Sequence, residues 1–177
     1  MSKSDGRVTL WCEPVPWKEM VTEASRHGLR ETGGVLLGWR SGVDVVVSHV
    51  VGPGPGAHHE RTTFHPDSAW QAERIVELYE LSGRRLEYLG DWHTHPGGRP
   101  WPSRRDERTL RHIAAASEAR CPDPIMVILG TGAADDAAAW EVGAFVLRGG
   151  SRWRPRRTRV TPAELLLMPV APGIGER

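Results

Sequence analysis

Apolar residues along this chain recur at two spacings, and the alternation between them predicts an ordered set of strands and helices. Arg7 to Cys12 (RVTLWC) alternates apolar with polar and predicts a short strand. Val15, Trp17, Met20, Val21 and Ala24 fall at helical spacing and predict a helix over Val15 to His27. Pro16 suits its first turn and Gly28 its stop. Gly34 to Trp39 and the β-branched run Val43 to Val51 predict two strands joined by a tight turn at Ser41-Gly42. Gly52 to Gly56 (GPGPG) breaks both periods and predicts a loop. Asp67 is expected to cap a helix over Ser68 to Leu81, with Trp70, Ile75 and Leu78 on its apolar face. Leu86 to Asp91 predicts a strand leading directly into His93, and Ser103 is expected to cap a third helix running to about Ala119. The continuous run Ile125 to Leu129 predicts a buried strand, Gly130 to Asp136 a turn, and Ala138 to Leu147 a further strand. Thr161-Pro162-Ala163-Glu164 matches a capping box, which predicts a short docking helix from Leu165 to Met168. Element order alone gives an α/β or α+β fold, one layer of sheet with helices packed on it.

Bulk properties narrow the class. A chain of 177 residues with 39% hydrophobic and 25% charged residues suits a single soluble domain. Its net charge of +1 exerts no general pull on nucleic acid. No apolar run is long enough for a transmembrane helix, and MSKSDGRV lacks the apolar core of a signal peptide. The only cysteines, Cys12 and Cys121, make neither a disulfide scaffold nor a cysteine-rich metal site, so a reducing cytoplasmic setting is expected. Residues 1–148 are expected to form the working domain. Residues 149–177 form an Arg-rich extension: Arg148 to Arg159 (RGGSRWRPRRTR) holds six Arg and no acid. That run reads as a solvated basic linker, or else as a contact for an acidic partner or nucleic acid.

The candidate chemistry lies in HTHPGGRPWPSRRD, residues 93–106. His93 and His95 are two positions apart, so at a strand end both imidazoles project to the same side. A loop of Gly and Pro lets the chain turn, and Asp106 falls in the first turn of the following helix. Two His and one Asp form a three-ligand set for zinc with a fourth position open, the arrangement of catalytic rather than structural sites. Thr94 points to the opposite face and reads as structural. Asp91 or a backbone carbonyl is expected to orient an imidazole. His58, His59 and His65 read as solvent-exposed loop residues. Substrate contacts are expected from the loop around Gly52 and Gly56, and from Trp101, which with Trp92 flanks the motif.

This run, with seven residues between His95 and Ser103 and then Ser-x-x-Asp, resembles the JAMM motif of the MPN-plus metalloproteases, or JAB domains. That family carries an upstream Glu in the form E-x-x-G-x-L-x-G, and Glu31-Thr32-Gly33-Gly34-Val35-Leu36-Leu37-Gly38 is similar. The resemblance covers about residues 8–148. It implies a single-domain MPN (cytidine-deaminase-like) α-β sandwich with a mixed, mostly antiparallel sheet flanked by helices. It implies one zinc ion held by His93, His95 and Asp106, with Glu31 as general acid/base and Ser103 as donor to the oxyanion. The implied reaction is hydrolysis of the amide after the C-terminal glycine of a ubiquitin-like protein. The partners implied are that modifier or its conjugate, together with E1/E2-like enzymes of the same pathway. Short spacing between His95 and Asp106 resembles stand-alone prokaryotic members. Two other readings stand beside it: a non-catalytic MPN scaffold that binds partners, and a RadC-like DNA-associated protein, whose HxHP…PSxxD run is similar. A zinc deaminase would need a Pro-Cys-x-x-Cys signature, which this chain lacks.

Overall fold

A computed structural model describes residues 7–131, 140–149 and 158–169. The elements in chain order are β1 (Thr9–Cys12), α1 (Pro14–His27), β2 (Gly33–Ser41), β3 (Asp44–Val51), β4 (His58–His59), β5 (Phe64–His65), α2 (Ser68–Leu81), β6 (Glu87–His95), α3 (Arg104–Ala115), β7 (Ile125–Gly130), β8 (Glu141–Arg148) and β9 (Arg159–Leu167). Most of the expected Gly130–Asp136 turn, the start of the expected strand at Ala138, most of the Arg-rich run and nearly all of the PVAPGIGER segment lie outside the described residues. Among the described residues no helix is long and apolar enough to cross a membrane.

Seven strands close into a barrel in the order β1-β3-β2-β6-β7-β8-β9, and β4-β5 forms a separate two-stranded ribbon. β1 runs parallel to β3 and β9, and β6 runs parallel to β7. The other neighbours are antiparallel. The mixed sheet matches the expectation, but the sandwich does not: the sheet curls until its two outermost strands meet. The closing strand is β9, which pairs with β8 from Arg159 to Ala163 and with β1 from Glu164 to Leu167.

The short helix expected from Leu165 is therefore strand. Pro162, read as helix-starting, sits opposite Phe145 of β8, just before the pairing with β1 begins at Glu164. A proline is tolerated there because no second neighbour needs its missing N–H. α3 also stops earlier than expected, at Ala115, because Ala116 turns to an extended ψ of 114°.

Two-residue periodicity sorts the β7 side chains. Ile125, Val127 and Leu129 join Leu10, Leu36, Val45, Leu89 and Trp92 in the main core, to which α1 adds Met20 and Ala24. Met126 and Ile128 face the other way and pack with Leu110 of α3. This is why every residue of the strand is buried. α2 covers Val35, Leu37 and Val51 with Trp70, Ile75 and Leu78. Cys12 and Cys121 are free and buried. Burial, with a smaller contribution from Glu13, pushes the Cys12 thiol up to about 12, so it behaves as a small hydrophobe.

Candidate active site

The alternation that sends Trp92 and Thr94 into the core sends His93 and His95 outward. Thr94 is fully buried. Its Oγ1 accepts from the Thr32 N–H at 3.0 Å, and its own N–H donates to the Thr32 carbonyl at 2.9 Å. Thr94 is structural, as its spacing predicts: it locks the end of β6 to the residue after Glu31. Replacing it by Val keeps the shape but leaves the Thr32 N–H without an acceptor. A loss of about 1–3 kcal/mol in urea unfolding is expected. An unchanged midpoint would show the lock to be dispensable.

Gly33 lies opposite His93 in the β2–β6 register. A Cβ at Gly33 would overlap the Trp92 carbonyl oxygen and approach the His93 Cβ. Only glycine lets β2 run this close beneath the histidine strand. Gly130 serves the loop that follows: a Cβ there would meet the backbone of Gly98, Arg99 and Pro100, which fold across the end of β7.

Asp106 arrives from α3. Ser103 is the N-cap of that helix: its Oγ accepts from the Asp106 N–H at 3.3 Å, and Asp106 Oδ2 accepts from the Ser103 N–H at 2.6 Å. This capping box aims the carboxylate at the two imidazoles. His93 Nε2 lies 3.4 Å from Asp106 Oδ1, His95 Nε2 lies 3.5 Å from Oδ2, and the two Nε2 atoms are 3.0 Å apart. Among the described residues these three form the one group of His, Cys, Asp or Glu able to hold a metal ion.

The donor set fits such an ion. Tetrahedral zinc with bonds of ~2.0–2.1 Å would place its ligand atoms about 3.3 Å apart. His95 Nδ1 faces the Arg99 carbonyl oxygen at 3.2 Å, which leaves its Nε2 lone pair for a cation. That carbonyl orients the imidazole, one of the two alternatives read from sequence. Asp91 does not: it accepts from the Tyr88 hydroxyl at 2.7 Å. Burial alone would raise the Asp106 pKa, but the facing imidazoles of His93 and His95 outweigh it and hold the carboxyl well below its usual range. Burial would likewise lower His95, and Asp106 and the Arg99 carbonyl reverse this and raise it.

Glu31, His93, His95, Ser103 and Asp106 line one cleft of about 440 Å³. Burial raises the Glu31 pKa, against the opposing pull of His93 and His95. Its carboxylate belongs to no metal-holding group among the described residues. The Ser103 hydroxyl accepts from the Asp106 N–H in the cap, and a hydroxyl can donate as well as accept.

The rest of the cleft differs from the sequence reading. Gly52 and Gly56 do not line it. The Gly52 carbonyl accepts from Gln71 Nε2 at 2.8 Å and the Gly56 N–H donates to Asp67 Oδ2 at 3.1 Å, so both anchor the loop to the start of α2. Trp101 is exposed and set edge-on to Phe145, outside the cleft. The wall is instead built by Thr62, Phe64 and Pro66, with Gln71 and Arg105. No local pattern marks Thr62 or Phe64, but Gln71 is the only buried residue of α2 and could have been sought as a polar interruption of its inner face. His59 is not a free loop residue either: its ring stacks on His27 with centroids 3.7 Å apart.

The chain is similar to several known proteins. A family model described as prokaryotic homologs of the JAB domain matches residues 16–143. A probable metalloprotease of Sinorhizobium fredii is 38% identical over 122 residues, spanning 68% of this chain and 74% of that protein. A CD-NTase/cGAS isopeptidase of Enterobacter hormaechei is 34% identical over 132 residues, spanning 73% and 69%. The solution structure of a Desulfitobacterium hafniense protein superposes with a TM-score of 0.64 at 21% identity, covering 90% of this chain and 92% of that one, a likeness of fold.

Proposed function

The chain belongs to the family of prokaryotic JAB-domain proteins, and from that premise we propose that it is a zinc-dependent isopeptidase acting on conjugates of a ubiquitin-like protein. The observation that carries this reading is the convergence of His93 Nε2, His95 Nε2 and the Asp106 carboxylate within 3.0–3.5 Å, in a cleft that also holds Glu31. Zinc bound there would supply Lewis acidity, lowering the pKa of a coordinated water from 15.7 toward ~7 and polarising the scissile carbonyl.

The chain's own residues do the rest. Glu31 takes the proton from the attacking water and delivers it to the departing amine; burial, by raising its pKa, suits it to both transfers. Ser103 donates its hydroxyl proton to the developing oxyanion, and its cap bond to Asp106 fixes the oxygen from which it does so. Phe64 and Thr62 form a wall of the cleft in which the substrate would lie.

Amide cleavage is supported by the names of the relatives, a metalloprotease and several CD-NTase/cGAS isopeptidases. The isopeptidase names also make a nucleotidyltransferase of that kind a candidate target, with E1- and E2-like enzymes as pathway partners. A partner-binding scaffold is disfavoured because the whole donor set is intact and aligned. For a RadC-like role, most of the Arg-rich run lies outside the described residues, and the net charge of +1 gives it no general support.

The test is cleavage by the zinc-loaded protein of a panel of ubiquitin-like conjugates, lysine-linked and α-linked, one of them carrying a CD-NTase. Release after the terminal glycine from lysine-linked members is expected, slowed at least about a hundredfold in Glu31→Gln. Binding without cleavage across the whole panel, with zinc present, would replace this reading by the scaffold.

A further inference from the structure

Glu31 lies between α1 and β2, outside any strand, so no sheet ladder holds it. Two consecutive residues of the β4–β5 ribbon hold it instead. The Glu31 N–H donates to the Glu60 carbonyl at 2.7 Å, and the Glu31 carbonyl lies 3.0 Å from His59 Nδ1. A carbonyl oxygen can only accept, so Nδ1 carries the proton and donates.

The His59 ring is itself fixed. It stacks on His27 at 3.7 Å with 21° between planes, and on Phe64 at 5.4 Å. His27 Nε2 is 2.8 Å from Glu23 Oε1, and Thr32 Oγ1 donates to the same oxygen at 3.3 Å. Thr32 is the residue locked to Thr94 between the two histidines. The contacts Glu23–His27–His59–Glu31 and Glu23–Thr32 thus close a loop through the Glu31–Thr32 backbone, and Thr32 ties that loop on to Thr94. Among the described residues His59 belongs to no group able to hold a metal, so its order is not explained by ligation.

We propose that His59 is a positioning residue for Glu31: seated on His27, it pins the Glu31 carbonyl and so sets where the carboxylate enters the cleft. The same ribbon places Phe64 in the cleft wall, so the hydrogen bonds from Glu31 to Glu60 and from His59 to Glu31 tie the wall to the base. The proposal rests on the assignment of Glu31 as the base.

Three zinc-loaded variants test it: His59→Phe, His59→Asn and Glu31→Gln. Phe keeps a flat ring on His27 and removes the donor. Asn gives up the stack but returns an N–H near the Nδ1 position. For His59→Phe a fall in kcat of about 10–100-fold is expected, with KM and zinc content unchanged. His59→Asn should recover about tenfold of that loss. Crystal structures of the zinc-loaded variants supply a readout that needs no substrate: the Glu31 carboxylate should be displaced in His59→Phe and restored in His59→Asn. Wild-type kcat with Glu31 unmoved in His59→Phe, or Asn no better than Phe in either readout, overturns the proposal. Full activity in Glu31→Gln would remove the base assignment, and the crystal positions would still decide whether His59 places that side chain. If His59→Phe does not fold, His59→Gln takes its place, since its amide reaches past the Nδ1 position and should also leave Glu31 displaced.

Discussion

Glu31→Gln is expected to lower kcat by about 10²–10⁴-fold while the protein keeps its zinc. Glu31 shares the cleft with the three metal-holding side chains but is not one of them, so its loss leaves the donor set complete. Its backbone contacts to His59 and Glu60 survive the substitution, because both use the main chain. Gln also keeps the side-chain volume and removes only the proton-accepting charge. Metal content by mass spectrometry beside kcat on a cleaved conjugate makes the measurement. Zinc lost in proportion to activity would mean that Glu31 sustains the metal centre rather than serving as its base.

Asp106→Asn should lose metal and activity together while the fold persists. Asp106 has two duties: its charge faces both imidazoles, and its Oδ2 accepts from the Ser103 N–H. Asn can still accept in the capping box, so the ~0.5–2 kcal/mol of cap stability is largely retained. What it removes is the anionic oxygen beside His93 and His95. Zinc affinity, measured by competition with a chelating dye, should fall beyond the ~10–100-fold that loss of a supporting hydrogen-bond partner costs. Asp106→Ala should show the same metal loss plus a lower thermal midpoint. Wild-type affinity in Asp106→Asn would exclude Asp106 as a ligand and leave it a helix cap alone.

The sequence announced features that are local and missed those that depend on distant pairing. α1 and α2 are set by apolar spacing, Pro and Gly at the ends and Asp67 as a cap, all within one stretch of chain, and they lie where expected. The two histidines share a face because strand periodicity makes them, and the Ser103–Asp106 box is written in four consecutive residues. β9 is not legible locally because Thr-Pro-Ala-Glu has the pattern of a helix start, while its partners on β1 lie about 155 positions away. The order of His59 is hidden for the same reason: its ring is seated on His27, and no short window contains both. Gly52 and Gly56 were correctly placed in a loop, but their direction is set by Gln71 and Asp67 on another element.

Closure of the barrel by β9 also has a consequence for biosynthesis. β1 remains without one neighbour until Glu164 to Leu167, about 155 residues further along the chain, have left the ribosome. Until then β8 also presents an open edge, and open edges recruit strands from other chains. Translation at ~5–20 residues per second keeps the nascent chain in this state for several seconds. The barrel is therefore completed only once β9 has emerged, and slow translation through β8 and β9 would prolong exposure to aggregation or to chaperone capture.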